Sequence, residues 1–456
     1  MSPRGTEAGG GPTAGSNGGG RGAGGEAPGP GGISAGVSKG GISAGVGKGG
    51  ISGGLVLVMA VATGLAVANN YYAQPLLPVI GHSLKLNPGI TGLIVTVAQI
   101  GYALGLVLLL PLGDLVERRR LVVVLSVASG VALIGMGLSP SGAVLLPAAL
   151  LVGGLTVLAQ VLVPFAASLA PEEERGRVVG LVMSGLLIGI LLARTVAGFL
   201  AETGSWRIVY YVAGAGMVVQ AGVLRWRLPT WKEDGRLGYP ALLASVLGLL
   251  RDEPVLRLRA LYGMFSFGTF SVLWTSLAFL LSRDFHYSSG VIGLFGLAGA
   301  AGAGAATLAG RFSDRGMARV SSGVASALMV LSWVALWAGH RSVWLLILGV
   351  VVLDVGAQGL HITNQGEIYK LRPDARSRLT AAYMVVYFIG GAAGSALSAF
   401  VYDAAGWAGV SVVGLAFAAG DGLLWVAMGV APPAWLRPDH GSVMESAASG
   451  GTASGG

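Results

Sequence analysis

The sequence predicts an all-α membrane protein with twelve transmembrane helices arranged as two pseudo-symmetric six-helix bundles. Three observations carry that reading. Of 456 residues, 53% are hydrophobic and only 11% are charged, a balance outside the range of water-soluble domains. The apolar residues gather into twelve runs, each long enough to cross about 30 Å of hydrocarbon as a helix. Landmarks in the first six runs return in the last six at an offset near 200 residues. The short alternating segments of a membrane barrel are absent, which leaves the helix as the structure able to satisfy its own backbone in lipid.

Residues 1–54 are a Gly-, Ser- and Ala-rich tail with a tandem repeat, GGISAGVSK then GGISAGVGK. It is too poor in large apolar side chains to offset the entropy of ordering. Its GVGKGG is not a phosphate loop: no glycine stands at the required distance before Gly47, and Gly49 follows Lys48 where Ser or Thr would bind magnesium. The tail also lacks the basic-then-apolar order of a cleavable signal. An N-terminal bundle, 55–226, contains runs at 55–80, 90–111, 121–138, 143–169, 178–201 and 207–226. A basic linker, 227–257, has Pro229 near its start and is expected to lay a short amphipathic helix on the membrane face, against anionic lipid. The C-terminal bundle, 258–430, contains runs at 258–282, 290–310, 319–338, 343–366, 379–401 and 407–430, and 431–456 is a second tail.

Charge placement orients the chain. With residue 1 in the cytoplasm, 24 of the 29 Lys and Arg fall in cytoplasmic segments, four (Lys85, Arg207, Arg283, Arg341) fall outside, and Arg194 lies within a run. This asymmetry places both termini in the cytoplasm of a multi-pass protein of the cell membrane. It also explains the net charge of +8 without nucleic acid as a partner. There is no cysteine, so disulfides and thiol chemistry are excluded. The five histidines (82, 286, 340, 361, 440) are scattered without metal-ligand spacing, and neither H-E-x-x-H nor a G-x-S-x-G elbow occurs in the runs. Enzyme and sensor readings are therefore disfavoured, and no metal or cofactor is expected.

The repeat is visible in three places. LPLGDLVERRR (110–120) follows the second run and GRFSDRGMAR (310–319) the eighth, which sets Asp114 and Asp314 200 apart. ERGRV (174–178) precedes the fifth run and ARSRL (375–379) the eleventh, while Trp206 and Trp407 open the sixth and twelfth. Twelve spans in two halves, with a Gly/Asp/Arg loop after spans two and eight, resemble the major facilitator superfamily over about 55–430. The family loop, roughly G-x-L-A-D-R-x-G-R-R, matches Gly310, Asp314, Arg315 and Arg319 in the second copy. The first copy keeps Leu112, Asp114, Arg118 and Arg119 but has Leu110, Leu115 and Glu117 where the family has Gly, Arg and Gly. NNYYAQPLLP, LLARTVAGF, GSWR and NQGEIYKLRPDARSRL are similar to a bacterial branch related to drug/proton antiporters.

The resemblance implies two helical bundles rocking about a cavity lined by spans one, four, seven and ten, moving a small molecule by alternating access. It implies a proton gradient as the driving force, a monomer in the bilayer, and export as the leading direction with uptake of a metabolite as the alternative. Asp114 and Asp314 are expected to latch onto helix N-terminal amides of the facing half, where the helix dipole favours an anion, with Arg118, Arg119 and Arg315 beside them. Span one supplies Asn70, Tyr71 and Gln74 as cavity groups, with Pro75 and Pro78 bending its outer end. Span seven supplies Phe267, Phe270, Trp274 and Thr275, a pliable wall suited to hydrophobic or cationic compounds. Span four offers Thr156 and Gln160, and has Ala149 four residues before Gly153 where relatives often carry arginine.

Span ten carries the sharpest signal. Asp354 falls near the bilayer centre, and Gln358, His361 and Gln365 follow at i+4, i+7 and i+11, on one helical face. A carboxylate there costs about 2.5–3.5 kcal/mol on insertion scales and normally faces a wet interior and works there. Asp354 is the expected proton carrier and His361 its relay. Arg194 in span five needs an acceptor across the interface between halves and is expected to act in gating. Direct pairing with Asp354 is possible, although spans five and ten are not expected to be neighbours.

Overall fold

The computed structural model describes residues 51–232, 238–300, 302, 304, 312, 315–372 and 375–430. Among them the regular structure is helical throughout, and ten stretches are long and apolar enough to cross a membrane. The last of these, Arg376–Val430, runs for 55 residues but has Gly406 at φ +59°, ψ −155°. This left-handed joint is open to glycine because it has no Cβ, and it divides the stretch into spans eleven and twelve. Span eight enters the described residues as the helix Ser289–Leu294 and the turn Phe295–Ala298. The order of elements accords with twelve spans. Asp314 and both predicted tails lie outside the described residues, apart from 51–54 of the first.

Local chemistry accounts for where the helices begin. Asn87 caps span two, its side chain accepting from Ile90 N at 2.8 Å while Pro88 takes the first helical position, where its missing N–H costs nothing. Span one, expected as one run bent by Pro75 and Pro78, is instead two helices, Gly53–Ala68 and Ala73–Leu84. The break lies at Asn69–Tyr72, ahead of both prolines. Pro75 has no N–H to give the carbonyl of Tyr71, which accepts from Gln74 N at 3.4 Å instead, and the turn before it is held by i→i−3 bonds at Asn69, Asn70 and Tyr71. Span four is likewise two helices, Gly142–Leu155 and Leu158–Leu169.

Packing depends on close backbone approach, as membrane helices require. Gly153 of span four sits so tightly on span two that a Cβ there would stand 1.9 Å from the carbonyl oxygen of Ala98. The first half meets the second along two seams. Spans two and eleven touch at Gly92 and Ala399, bond through Thr96 and Ser395 (3.1 Å), and stack Tyr102 on Phe388 (4.2 Å). Spans five and eight touch at Gly198 and Ser289, and Thr195 Oγ1 donates to the Gly293 carbonyl at 3.0 Å. Glu202, the last residue of the span-five helix, accepts from Gly290 N at 2.8 Å. Span seven, Pro254–Arg283, is enclosed: every residue from Ser266 to Leu281 is buried.

The linker contains a helix, Tyr239–Asp252, whose apolar stripe packs against the bundle. Leu242, Val246 and Leu249 are buried, and Leu242 and Val246 share a pocket with Leu110, Pro111 and Ala381. Tyr239 OH donates to the Leu108 carbonyl at 2.7 Å.

Candidate functional site

The break in span one and the enclosed span seven help to bring four spans, one, five, seven and ten, together at mid-depth. Where span one is interrupted, Tyr71 and Gln74 turn toward span five, and Gln74 Oε1 accepts from Arg194 Nε at 2.6 Å. The Arg194 guanidinium carbon lies 4.8 Å from the centre of the Tyr71 ring and 3.8 Å from that of Trp274, close enough for strong cation–π attraction in a dry site. From the edge of the same indole, Trp274 Nε1 donates to Asp354 Oδ1 at 3.3 Å. Arg194 and Asp354 are each only 3% exposed. They make no direct ion pair; an aromatic ring from span seven stands between the charge of span five and the charge of span ten. Arg194 Nη2 is buried without a hydrogen-bond partner.

The predicted face of span ten is present as a sequence of contacts. Gln358 is half-buried beside the span-eight backbone, where a Cβ on Gly302 would come within 3.0 Å of its Cγ. His361 Nδ1 lies 3.0 Å from Tyr383 OH, its Nε2 lies 3.2 Å from Gln365 Nε2, and its ring packs on Tyr387 at 4.8 Å. Phe267 stacks on Tyr387 (4.1 Å) and Phe270 leans on Trp274 (6.0 Å). Asn70 is half-buried with its Oδ1 unpartnered. Thr275 is placed differently from its expected position in a cavity wall. It is fully buried and donates to Ser395 Oγ at 2.9 Å, inside the polar seam with Thr96.

The loop residues lie apart from this centre. Asp114 pairs with Arg118 at 3.5 Å and lines a pocket with Ser377 and Arg378 at the start of span eleven. Arg118 is buried and donates to the Gly113 carbonyl and to Ser168 Oγ, both at 3.1 Å. Arg119 reaches the Leu228 carbonyl and pairs with Glu117, while Arg315 is exposed. Two groups escaped the sequence reading. Asp421 of span twelve is fully buried and accepts from Ser326 Oγ at 2.5 Å. Arg259 of span seven bonds Ser322 at 3.0 Å and pairs with Glu367 at 3.7 Å. A lone acid in an apolar run was the available signal for Asp421, by the rule that singled out Asp354.

Known proteins match this architecture. The family model described as Major Facilitator Superfamily matches residues 59–368 and again 260–450. The chain belongs to the major facilitator superfamily. Among relatives of this superfamily, it is similar to "Uncharacterized transporter YgaY" of Escherichia coli O157:H7, 52% identical over 373 residues, which cover 81% of this chain and 94% of that protein. It is also similar to "Probable sugar efflux transporter" of Helicobacter pylori, 23% identical over 79% of this chain and 91% of that protein. Among solved structures, an inward-facing, occupied bacterial homologue of the human lysosomal transporter Spinster shares the fold with a TM-score of 0.68 at 14% identity, over 82% of this chain and 96% of that one. This superfamily member is thus a membrane-spanning transport protein.

Proposed function

We propose that the chain is a proton-coupled secondary transporter of the cell membrane that exports a small organic compound by alternating access, as a monomer without cofactor and with both termini in the cytoplasm. One observation carries the reading. A carboxylate, Asp354, is buried at mid-span between the halves and faces a buried cation of the other half through Trp274. A carboxylate in such a place binds a proton or a counter-charge, and either event changes how the halves attract one another.

Asp354 carries the proton. Gln358, His361 and Gln365 form its path toward the predicted cytoplasmic side, where His361 is hydrogen-bonded on both ring nitrogens. Asn70, Tyr71, Gln74, Phe270 and Trp274 surround the cargo. Asp114 and its Arg118 partner, with Asp314, Arg315 and Arg119, set the balance of states at that side, and Arg194 ties the first half to the site. The export direction is supported by the likeness to the probable sugar efflux transporter of Helicobacter pylori and by the antiporter-like segments.

The test is flux in proteoliposomes under an imposed pH gradient. Gradient-driven flux of a transported compound should fall by about tenfold or more in Asp354→Asn, with gradient-independent exchange retained. Equal gradient-driven flux in both proteins overturns the coupling role. Accumulation of external compound by cells expressing the protein would reverse the direction to uptake.

A further inference from the structure

We infer that the cargo is a short zwitterion of the amino-acid type, its carboxylate taken by Arg194 and its ammonium by Asp354. The inference rests on the reading of Asp354 as the coupling acid and adds the chemical class that the site selects.

Each of the two charges is under-used. A guanidinium has five N–H donors in a planar fork that fits a carboxylate. Arg194 donates one of them, Nε–H, to Gln74 and leaves Nη2 buried and unpartnered. A buried donor without an acceptor is uncommon and asks for an explanation. An ionised carboxylate has lone pairs for several donors. Among the described residues Asp354 accepts one hydrogen bond, from Trp274 to Oδ1.

The two are also prevented from satisfying each other. Opposite charges in a dry interior normally pair directly, because each is expensive alone. Here the Trp274 ring holds the guanidinium over its face and the carboxylate at its edge. Span eight closes the flank with bare backbone rather than side chains: a Cβ on Gly299 would stand 3.1 Å from Asp354 Oδ2, and one on Gly296 would stand 2.9 Å from the Arg194 Cβ. In this conformation the site is shut around the pair, with a small cavity beside Gln74, Arg194, Trp274 and Ile292. A ligand with one charge would satisfy one residue and meet the other as a like charge, which is strongly unfavourable at a desolvated contact. A ligand carrying both charges satisfies Nη2 and Oδ2 together, with its apolar part against Trp274 and Tyr71.

Exchange follows without further parts. The ammonium of the ligand and the coupling proton contend for the same carboxylate, so each is released as the other binds. No covalent bond changes. A neutral zwitterion leaves for each proton that enters, and one positive charge moves inward per cycle.

The experiment uses the purified full chain in detergent and matched triplets on two frames: L-phenylalanine, phenethylamine and 3-phenylpropionate; L-leucine, isopentylamine and 4-methylpentanoate. The readouts are thermal stabilisation and the affinity derived from it. The zwitterion of at least one triplet should raise the melting temperature by several degrees and bind about tenfold or more tighter than both single-charge partners. Arg194→Gln should erase the advantage over the amine, Asp354→Asn the advantage over the acid, and Arg194→Lys should restore part of the first. Size-exclusion profiles and melting without ligand identify any variant that fails to fold, and the wild-type preference stands as a test regardless. The inference is overturned if no zwitterion binds, if amines or acids bind as well as the zwitterion in the wild type, or if folded Arg194→Gln keeps the full preference. Loss of gradient-driven flux in Asp354→Asn for a compound that is not zwitterionic would leave the coupling role intact and remove only the substrate class.

Discussion

The guanidinium of Arg194 lies 3.8 Å above the Trp274 ring, and the N–H of that ring holds Asp354. One indole therefore serves both charges, offering a π-face to the cation and a donor to the anion. Trp274 belongs to span seven, enclosed on all sides, so its position is set by packing.

Separating the two roles of Trp274 is straightforward. Trp274→Phe keeps an aromatic face under Arg194 but removes the donor to Asp354, whereas Trp274→Ala removes both. Gradient-driven flux should fall several-fold in the first and by a further factor of about thirty in the second, in line with a desolvated cation–π contact of about 2 kcal/mol. Equal flux in the two variants would show that the cation–π contact contributes nothing.

Close approach at Gly153 gives a stability prediction. A methyl group there would stand 1.9 Å from the Ala98 carbonyl, so Gly153→Ala must push spans two and four apart, at about 1–3 kcal/mol for overpacking. Gly135→Ala, where nothing lies within 4 Å, should be neutral or slightly stabilising through helix propensity. Thermal unfolding of the two variants in the same detergent distinguishes them, and equal melting temperatures would contradict the packing.

The bond from Gly290 N to Glu202 closes the end of the seam between spans five and eight that the charge pattern places outside. Glu202→Gln should weaken it and expose the site. In this cysteine-free chain, a single cysteine replacing Asn70 should react several-fold faster with an impermeant maleimide from the outside. A cysteine pair at 202 and 290, oxidised, should halt transport until reduced. Unchanged labelling together with unimpaired transport by the cross-linked protein would refute a gating role.

Asp421 has different prospects from Asp354. It is buried against Ser326, away from the Arg194 cluster, and no cation pairs with it directly among the described residues. Asp421→Asn keeps the capacity to accept from Ser326 and should leave gradient-driven flux within about twofold of the wild type. Asp421→Leu should lower thermal stability by no more than about 1 kcal/mol, because the Ser326 hydroxyl keeps the Ser322 carbonyl at 2.9 Å as its acceptor. A collapse of coupling in folded Asp421→Asn would make it a second proton site.

What the sequence reveals and what it hides divides along a physical line. Asp354 and Arg194 were visible as charges inside apolar runs, since the cost of burying an ion is a property of the residue and its neighbours in sequence. Their relationship was not visible, because it passes through an indole from a third helix and depends on how the helices are rotated. Prolines announced the distortion of span one, but its place, at Asn69–Tyr72, lies ahead of both and shows only in the i→i−3 bonds of Asn69, Asn70 and Tyr71. Thr275 looked like cavity lining because hydroxyl groups serve equally in a wall and in a seam, and only Ser395 beside it decides. Asp421 obeys the rule that marks Asp354, as a lone acid in an apolar run, while the resemblance places span twelve outside the cavity lining. The linker helix showed its apolar stripe plainly, yet a stripe of Leu and Val suits protein and membrane alike, and Ala381 and Leu110 supply the partner.

Consider finally the bare peptide contact of Gly198 on Ser289 and of Gly293 on Arg194. Surfaces made of main chain have no rotamers to choose when they meet and none to release when they part. Such a hinge line can dock and undock with little reordering of its own, so the energy difference between its closed and parted forms is left to the few polar groups bound across it. That leaves the switch sensitive to single charges, the scale on which a proton acts.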